Sequence, residues 1–333
     1  MLNTCPAHIK KFIYKQTDYL NWIKDFAAAF GYHPVDNSVS FTAAGSQGKA
    51  SAYFIEDGFT ACVNNFKINE DCLFARQPSE KFGVIIHLYF YQAPAQIEYR
   101  LGDLFSNLEN GSHYTLRLIN AQTAQYLKFD QSTLLRGISI SLESCWIIKN
   151  FSHRIMEVFK YLQEVNFFKE FINAKHQRLM NEILDVPDNH PFRNIYIRSR
   201  ILRIVDKLLE NLLHRDISES PEKINEEDFI SLQKIETLLT KSYDQAFPGI
   251  EKLSRISLMS ESKLKKIFKE AFGMGLYEYF QKNRMHIAKE HIISGKYSIS
   301  EVGIKLGYQN LSNFSTAFRK EFNCLPSELD INN

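Results

Sequence analysis

The sequence predicts an α+β protein: an antiparallel β-sandwich or barrel with flanking helices, followed by an all-α domain that holds two helix-turn-helix motifs. Three observations carry this. Residues 38–148 break into short β-type runs separated by turn residues. Residues 152–214 change to helical spacing. Between Ile250 and Leu329 one helix-turn-helix pattern occurs twice, on either side of a single amphipathic helix.

In chain order, Phe12, Ile13, Leu20, Ile23, Ala27 and Phe30 recur at helical spacing, and Gly31 supplies a stop, so a helix is expected from Ile9 to Phe30. The β-type runs are Ala50–Ile55, Phe59–Asn65, Phe82–Tyr91, Gln96–Tyr99, Tyr114–Leu118, Gln125–Phe129 and Leu134–Ser141. Asp57-Gly58, Pro94, Gly102-Asp103 and Asn110-Gly111 punctuate them as hairpin turns. Helices are expected next at Ser152–Gln163, Phe167–Leu184 and Phe192–His214. In the third, Ile201, Val205, Leu208 and Leu212 form a seam that either covers the β-domain or pairs with a second copy of the chain. Residues 216–227 are rich in Ser, Glu and Asp with one Pro, the composition of a linker. The expected division is therefore 1–150 for the β-rich domain, 151–215 for a helical segment, 216–227 for the linker and 228–333 for the helix-turn-helix domain.

The second copy of the motif is the clearer one. Ser298 with Glu301 has capping-box spacing, Val302, Gly303 and Leu306 give one inward face, and Gly307 ends the helix. A second helix follows, with Phe314, Phe318 and Phe322 on one stripe. Pro326 is expected to stop it. Its other face carries Ser312, Asn313, Ser315, Thr316 and Arg319, with Leu311 at its start, and short polar groups of this kind suit base edges and phosphates. In the first copy Ile250, Leu253 and Ile256 mark a short helix and Ser257–Met259 the turn. Ser260 caps a helix whose Leu264, Ile267, Phe268 and Phe272 point inward. Its outer face holds Ser262, Lys263, Lys265, Lys266 and Lys269, a cationic surface of the type a phosphate backbone requires. Leu276–Ile293 reads as one helix joining the copies, with Leu276, Phe280, Ile287, Ala288, His291 and Ile292 on its apolar side.

These stretches, LSRISLMS, KLKKIFKEAFG, RMHIAKEHI, SISEVGIKLGYQNLSNFSTAFRKEFN and the PSE tail, resemble the DNA-binding domain of the AraC/XylS family of transcription regulators over about the last hundred residues. Ser254 and Gly303 depart from the family's usual alanine, and Asn323 from its frequent glycine. The resemblance implies a sequence-specific regulator, more often an activator than a repressor, located in the cytoplasm. It implies as DNA-contacting residues Ser262, Lys263, Lys265, Lys266, Lys269, Leu311, Ser312, Asn313, Ser315, Thr316 and Arg319. Implied partners are double-stranded DNA, RNA polymerase, a small-molecule effector held by a cupin-like N-terminal barrel, and a second copy of the chain in a homodimer. FKINEDCLFARQPSE before a strand resembles the siderophore-responsive, PchR-like subgroup. Some DNA-repair alkyltransferases carry the same kind of module, but Cys5-Pro6-Ala7-His8 does not reproduce their methyl-acceptor contexts. The remaining alternative is an N-terminal domain that only dimerises.

Composition narrows the field. The 333 residues exceed the usual single-domain size, and 44% hydrophobic with 23% charged residues describe an ordinary globular protein. Net charge is +2 overall, but residues 228–333 carry 15 Lys and Arg against 12 Asp and Glu, leaving 25 against 26 elsewhere. No apolar run reaches the roughly 20 residues of a membrane span, and the first residues lack the core of a signal peptide. The five cysteines show no C-x-x-C spacing, so neither disulfides nor zinc are indicated. Around Gly48-Lys49 a phosphate loop would need glycine at Ala43 and Ser or Thr at Ala50. His87 and His113 lack the His-x-His pairing of a metal-binding barrel, and no G-x-S-x-G nucleophile occurs. No cofactor, metal or enzymatic activity is expected.

Overall fold

Two β-sheets face each other in the N-terminal unit, residues 1–222, and among the described residues the C-terminal unit, residues 223–333, contains helices and no strand. The computed structural model describes residues 10–15, 18–43, 46–95, 97–102, 104–108, 111–151, 157, 159–160, 162–163, 167–170, 172, 174–213, 226–272 and 274–329.

The N-terminal elements are β1 (Lys10–Lys15), α1 (Tyr19–Phe30), β2 (Ser38–Ala43), β3 (Ser46–Glu56), β4 (Phe59–Ile68), β5 (Cys72–Gln77), β6 (Gly83–Ala93), β7 (Ile97–Leu101), β8 (Leu104–Leu108), β9 (Gly111–Asn120), β10 (Gln125–Phe129), β11 (Thr133–Glu143), α2 (Ser144–Asn150), β12 (Phe167–Glu170), α3 (Ala174–Leu184) and α4 (Arg193–Leu213). The smaller sheet runs β1-β5-β10-β7-β8 and the larger β12-β9-β6-β11-β4-β3-β2. Every pairing is antiparallel except β1 with β5. The α+β fold class, with a sandwich-like β-unit and a helical C-terminus, is the one the sequence predicts.

The strands of the larger sheet are hydrophobic on both faces because both are covered. On β6, Val84, Ile86 and Leu88 point to one core, which includes Ile183, Ile197 and Ile201 from α3 and α4. Their neighbours Ile85, Tyr89 and Tyr91 point to the second core, between the sheets, where α1 inserts Trp22 and Phe26. There Trp22 and Phe26 stack at 5.1 Å, and Phe26 stacks on Phe66 at 5.9 Å. The seam of α4 is spent inside the chain: Ile201, Val205, Leu208 and Leu212 are all buried in the first core.

Several expected elements are corrected. Residues 10–15 form a strand, not the start of a helix. Phe12 points inward between exposed neighbours, at a period of two, and Asp18 accepts the Asn21 N–H at 2.8 Å, which fixes the helix start at Tyr19. Residues 167–170 likewise leave the expected helix to pair with β9, and the helix begins only at Ala174. An open sheet edge offers backbone partners that outweigh a helical spacing of side chains. Strands β2, β5 and β8 fell outside the predicted runs. The expected helix 152–163 lies mostly outside the described residues, as does the linker except for Glu226 and Glu227, which belong to a helix.

Among the described residues no helix is long and apolar enough to cross a membrane. His87 on β6 is buried, and its imidazole is held well below its ordinary pKa of 6.5, chiefly by burial and then by the nearby Arg76 and Arg117 cations. Below about pH 6.5 the unfolded chain gains a proton at this position that the folded chain refuses, so stability should fall as pH drops, at a limiting slope of about 1.4 kcal/mol per pH unit. Urea unfolding of His87→Gln from pH 7.5 to 5 should show a flatter profile than the parent chain. Superimposable profiles would mean that the buried imidazole titrates normally.

Candidate nucleic-acid interface

The C-terminal unit contains α5 (Glu226–Lys241), α6 (Ile250–Ser257), α7 (Glu261–Phe272), α8 (Leu276–Ile293), α9 (Ile299–Lys305), α10 (Leu311–Phe322) and a short 3-10 turn at Pro326–Glu328. Helices α6 and α7 form the first helix-turn-helix and α9 and α10 the second; α8 joins them. Helices α7 and α10 match in register over their whole length. Each has 12 residues, and the capping residues Ser260 and Asn310 lie 50 positions apart. Ser260 accepts the Lys263 N–H at 3.3 Å, and Asn310 the Ser312 N–H at 2.8 Å.

The two turns reach the same geometry with different residues. Each first helix ends in a left-handed residue, Leu258 at φ 56° and Gly307 at φ 75°. Glycine adopts that conformation freely, and a Cβ on Gly307 would also meet the Asp244 carbonyl at 2.7 Å. Leu258, 93% exposed, takes the strained conformation with no burial in return. Ser254, where alanine is the family norm, donates its hydroxyl to the Met259 carbonyl and so braces the first turn. Asn323, where glycine is frequent, ends α10 at φ 57° with its N–H on the Arg319 carbonyl at 2.8 Å. The helix therefore stops three residues before Pro326, the expected terminator, and Asn323 does the stopping.

The inward faces are close to the expectation. Leu264, Ile267 and Phe268 are buried on α7, and Phe314 and Phe318 on α10, with Phe322 half-buried beside them. The capping box of Ser298 and Glu301 is formed at α9. Ile256 differs: it is exposed, and Ser257 is buried in its place.

At about 100° per residue, Ser262, Lys266 and Lys269 point directly away from the buried stripe of α7. All five expected α7 residues are exposed, but they are not equally free. Lys263 is tied to Asp228 of α5 at 2.7 Å and Lys265 to Glu261 at 3.2 Å, while Lys266 lies a looser 3.9 Å from Glu270. On α10, Ser312, Thr316 and Arg319 point outward with Asn313 on the flank; Leu311 is partly exposed and Ser315 half-buried. The Thr316 hydroxyl donates to the Ser312 carbonyl at 2.8 Å, which leaves its lone pairs and methyl group for a ligand. Lys320, missed in the sequence, is exposed beside Asn313 and adds a second cation to this face. Its place four residues after Thr316 was the available signal.

What fixes these faces was less legible. Helix α8 buries Asn283 and Arg284 along with Leu276, Phe280, Met285, Ala288 and Ile292. The Arg284 guanidinium donates to the Leu306 carbonyl at the end of α9 and lies 4.4 Å from the Tyr308 ring and 5.2 Å from the Phe280 ring. Toward the first motif, the Tyr279 hydroxyl donates to the buried Glu236 of α5 at 2.7 Å. Helix α5 itself, with Leu232, Ile235 and Leu239 fully buried, formed no part of the sequence reading.

Two helix-turn-helix units on one connecting helix define a class: a double helix-turn-helix domain. Residues 253–330 match the family model described as a helix-turn-helix domain. The chain is 27% identical over 139 residues to the transcriptional activator RhaR of Mannheimia succiniciproducens, covering 42% of this chain and 46% of RhaR. It is 31% identical over 93 residues to the bifunctional transcriptional activator and DNA repair enzyme AdaA of Bacillus subtilis, covering 27% and 44%. It thus spans less than half the length of these relatives. Among solved structures, apo ToxT of Vibrio cholerae aligns over 81% of this chain and 96% of its own, at 11% identity and a TM-score of 0.30.

Two stability outcomes follow from the packing. Phe318→Ala should cost about 3–5 kcal/mol, since Phe318 is fully buried. Leu258→Gly should gain about 0.5–1 kcal/mol by relieving the left-handed leucine. Urea unfolding with unchanged slope measures both; a Phe318→Ala chain that unfolds like its parent but no longer binds DNA would place the ring on the binding face.

Proposed function

We propose that the chain is a sequence-specific DNA-binding transcription regulator, acting as an activator, whose C-terminal unit reads DNA and whose N-terminal unit responds to a small-molecule effector. The observation that carries this is the register match of α7 and α10, which gives one domain two outward polar faces of different chemistry. Helix α8 has 18 residues, roughly 27 Å at 1.5 Å per residue, and successive major-groove faces lie about 34 Å apart. With the width of the flanking units added, one chain reaches two consecutive grooves. Lys266 and Lys269 supply mobile charges for phosphates, and Ser312, Asn313 and the Thr316 methyl supply short-range contacts for base edges. RNA polymerase is the partner this role requires. The narrower likeness to siderophore-responsive members rests on residues 66–80 ahead of a strand, with helical segments following the β-domain.

Methyl acceptance in the manner of a repair enzyme requires an activated thiol. Burial pushes the Cys62 thiol well up and that of Cys72 up to about 12, so neither of these two thiols is activated.

Binding isotherms of the full chain at several salt concentrations test the division of work. Lys266→Ala and Lys269→Ala should each weaken binding and lower the salt slope by about 1. Lys263→Ala should change the slope less, because Asp228 already occupies its charge. Asn313→Ala should relax preference at one or two base pairs by about 1–3 kcal/mol with little change in slope. If scrambling the half-site about 10 base pairs from the first leaves affinity intact, only one recognition helix enters a groove and the two-groove arrangement is wrong.

A further inference from the structure

The N-terminal unit keeps an apolar cavity that opens to the surface beside the C-terminal end of α1. It holds about 60 Å³ and is lined by Phe26 and Phe30 of α1, Phe41 of β2, Phe66 of β4 and Phe74 of β5. The rings brace one another: Phe26 stacks on Phe66 at 5.9 Å, Phe41 lies 5.4 Å from Phe66, and Phe74 lies 6.0 Å from Phe26. The space is therefore set by packed rings and is present before any ligand arrives. Among the described residues of its lining only Lys10 and Glu70 are charged, and they pair with each other at 2.6 Å, their side chains 50% and 31% exposed. An acid and a base thus stand side by side at the mouth of an aromatic cavity.

Each part limits what can occupy the space. An apolar void stays dry, and its walls forgo the dispersion contacts that a bound apolar group restores. The volume is less than half of the roughly 150 Å³ at which an apolar cavity takes benzene, so it suits a short aliphatic group and not an aryl ring. A sugar would bring hydroxyls against rings that offer them no hydrogen bonds. At the mouth, a lone carboxylate would meet Glu70 as well as Lys10, and a lone ammonium would meet Lys10 as well as Glu70. A ligand carrying both charges gives each side chain an opposite partner. The Lys10–Glu70 pair is partly exposed and so holds its members weakly, which lets them exchange partners at little cost.

We propose that this cavity binds a free α-amino acid with a short aliphatic side chain, the class of leucine and valine. The side chain lies among the five phenylalanine rings, the carboxylate accepts from Lys10 Nζ, and the ammonium donates to Glu70. This rests on the reading of the N-terminal unit as effector-responsive and names the chemical class of the effector.

Calorimetric titration and thermal unfolding of the full chain test this, with L-leucine, L-leucinamide, isocaproate and L-phenylalanine at matched ionic strength. Leucine should bind saturably and raise the unfolding midpoint. Leucinamide lacks the negative group and isocaproate the positive one, so each should bind about fivefold more weakly or worse, the worth of one partly exposed ion pair. Lys10→Gln should weaken leucine about fivefold and leave leucinamide unchanged, whereas Glu70→Gln should weaken leucine as much and leave isocaproate unchanged. Both side chains are partly exposed, so neither substitution opens a void in a core. Phenylalanine should bind more weakly than leucine to the parent chain and gain on it in Phe41→Leu, which enlarges the cavity. Absence of a saturable response to leucine overturns the proposal. Equal binding of leucine and isocaproate would mark a site for simple carboxylic acids and overturns it too, as does a loss of every ligand alike in both charge variants, which would make the ion pair merely structural. DNA binding without added ligand, measured in the same preparations, reports the C-terminal unit separately, so a failed cavity is distinguishable from a failed regulator.

Discussion

The placement of the second recognition helix depends on one buried cation. Arg284 leaves the middle of α8, a stripe otherwise filled by Phe280, Met285 and Ala288, and donates to the Leu306 carbonyl at the end of α9. That carbonyl belongs to the last turn of a helix, where backbone acceptors lack partners within the helix and carry partial negative charge. The rings of Phe280 and Tyr308 close over the guanidinium, so the charge is shared among a carbonyl and two π-faces and its burial is tolerated. Gly307 follows directly, and its missing Cβ lets the backbone pass the Asp244 carbonyl. Orientation of α10 is thus set by a hydrogen bond and a steric allowance on adjacent residues, and not by the turn alone.

Much of the C-terminal unit was legible because its logic is local. Capping residues, left-handed stops and aromatic spacing act within a dozen residues, and each leaves its mark on the sequence: Ser298 with Glu301, Gly307, Phe314 with Phe318. The N-terminal unit was legible only as a class. Whether residues 10–15 become helix or strand is decided by the vacant edge of β5, more than fifty residues away, and Phe167–Glu170 join β9 for the same reason. No window of sequence contains that information. Helix α5 escaped notice because its charged residues outnumber the few that face inward, and the buried Glu236 gives no hint of its tyrosine partner forty-three residues on.

The candidate contact residues were readable as a surface and unreadable as individuals. A lysine run on one helix face predicts cationic character, and the structure keeps all four lysines exposed. It also separates them: Lys263 is neutralised by Asp228 from another helix, while Lys266 and Lys269 lie at the centre of the outward face. The same holds on α10, where Thr316 has committed its donor to the Ser312 carbonyl and only its acceptor and methyl remain. Spacing says which residues share a face. Partners from elsewhere in the fold say which of them are available.

Both units bury arginine, and in each a donor is left over. Arg284 is closed over by two rings and a carbonyl, yet its Nε has no hydrogen-bond partner. Between the sheets Arg76 Nη2 and Arg117 Nε are likewise without partners, and no described carboxylate is buried with them. What differs is the position of the cation in the fold: Arg284 ties the middle of α8 to the end of α9, so the cost of its unmet donor is offset by holding two helices in fixed relation, which an exposed face that must be placed within fractions of an ångström requires.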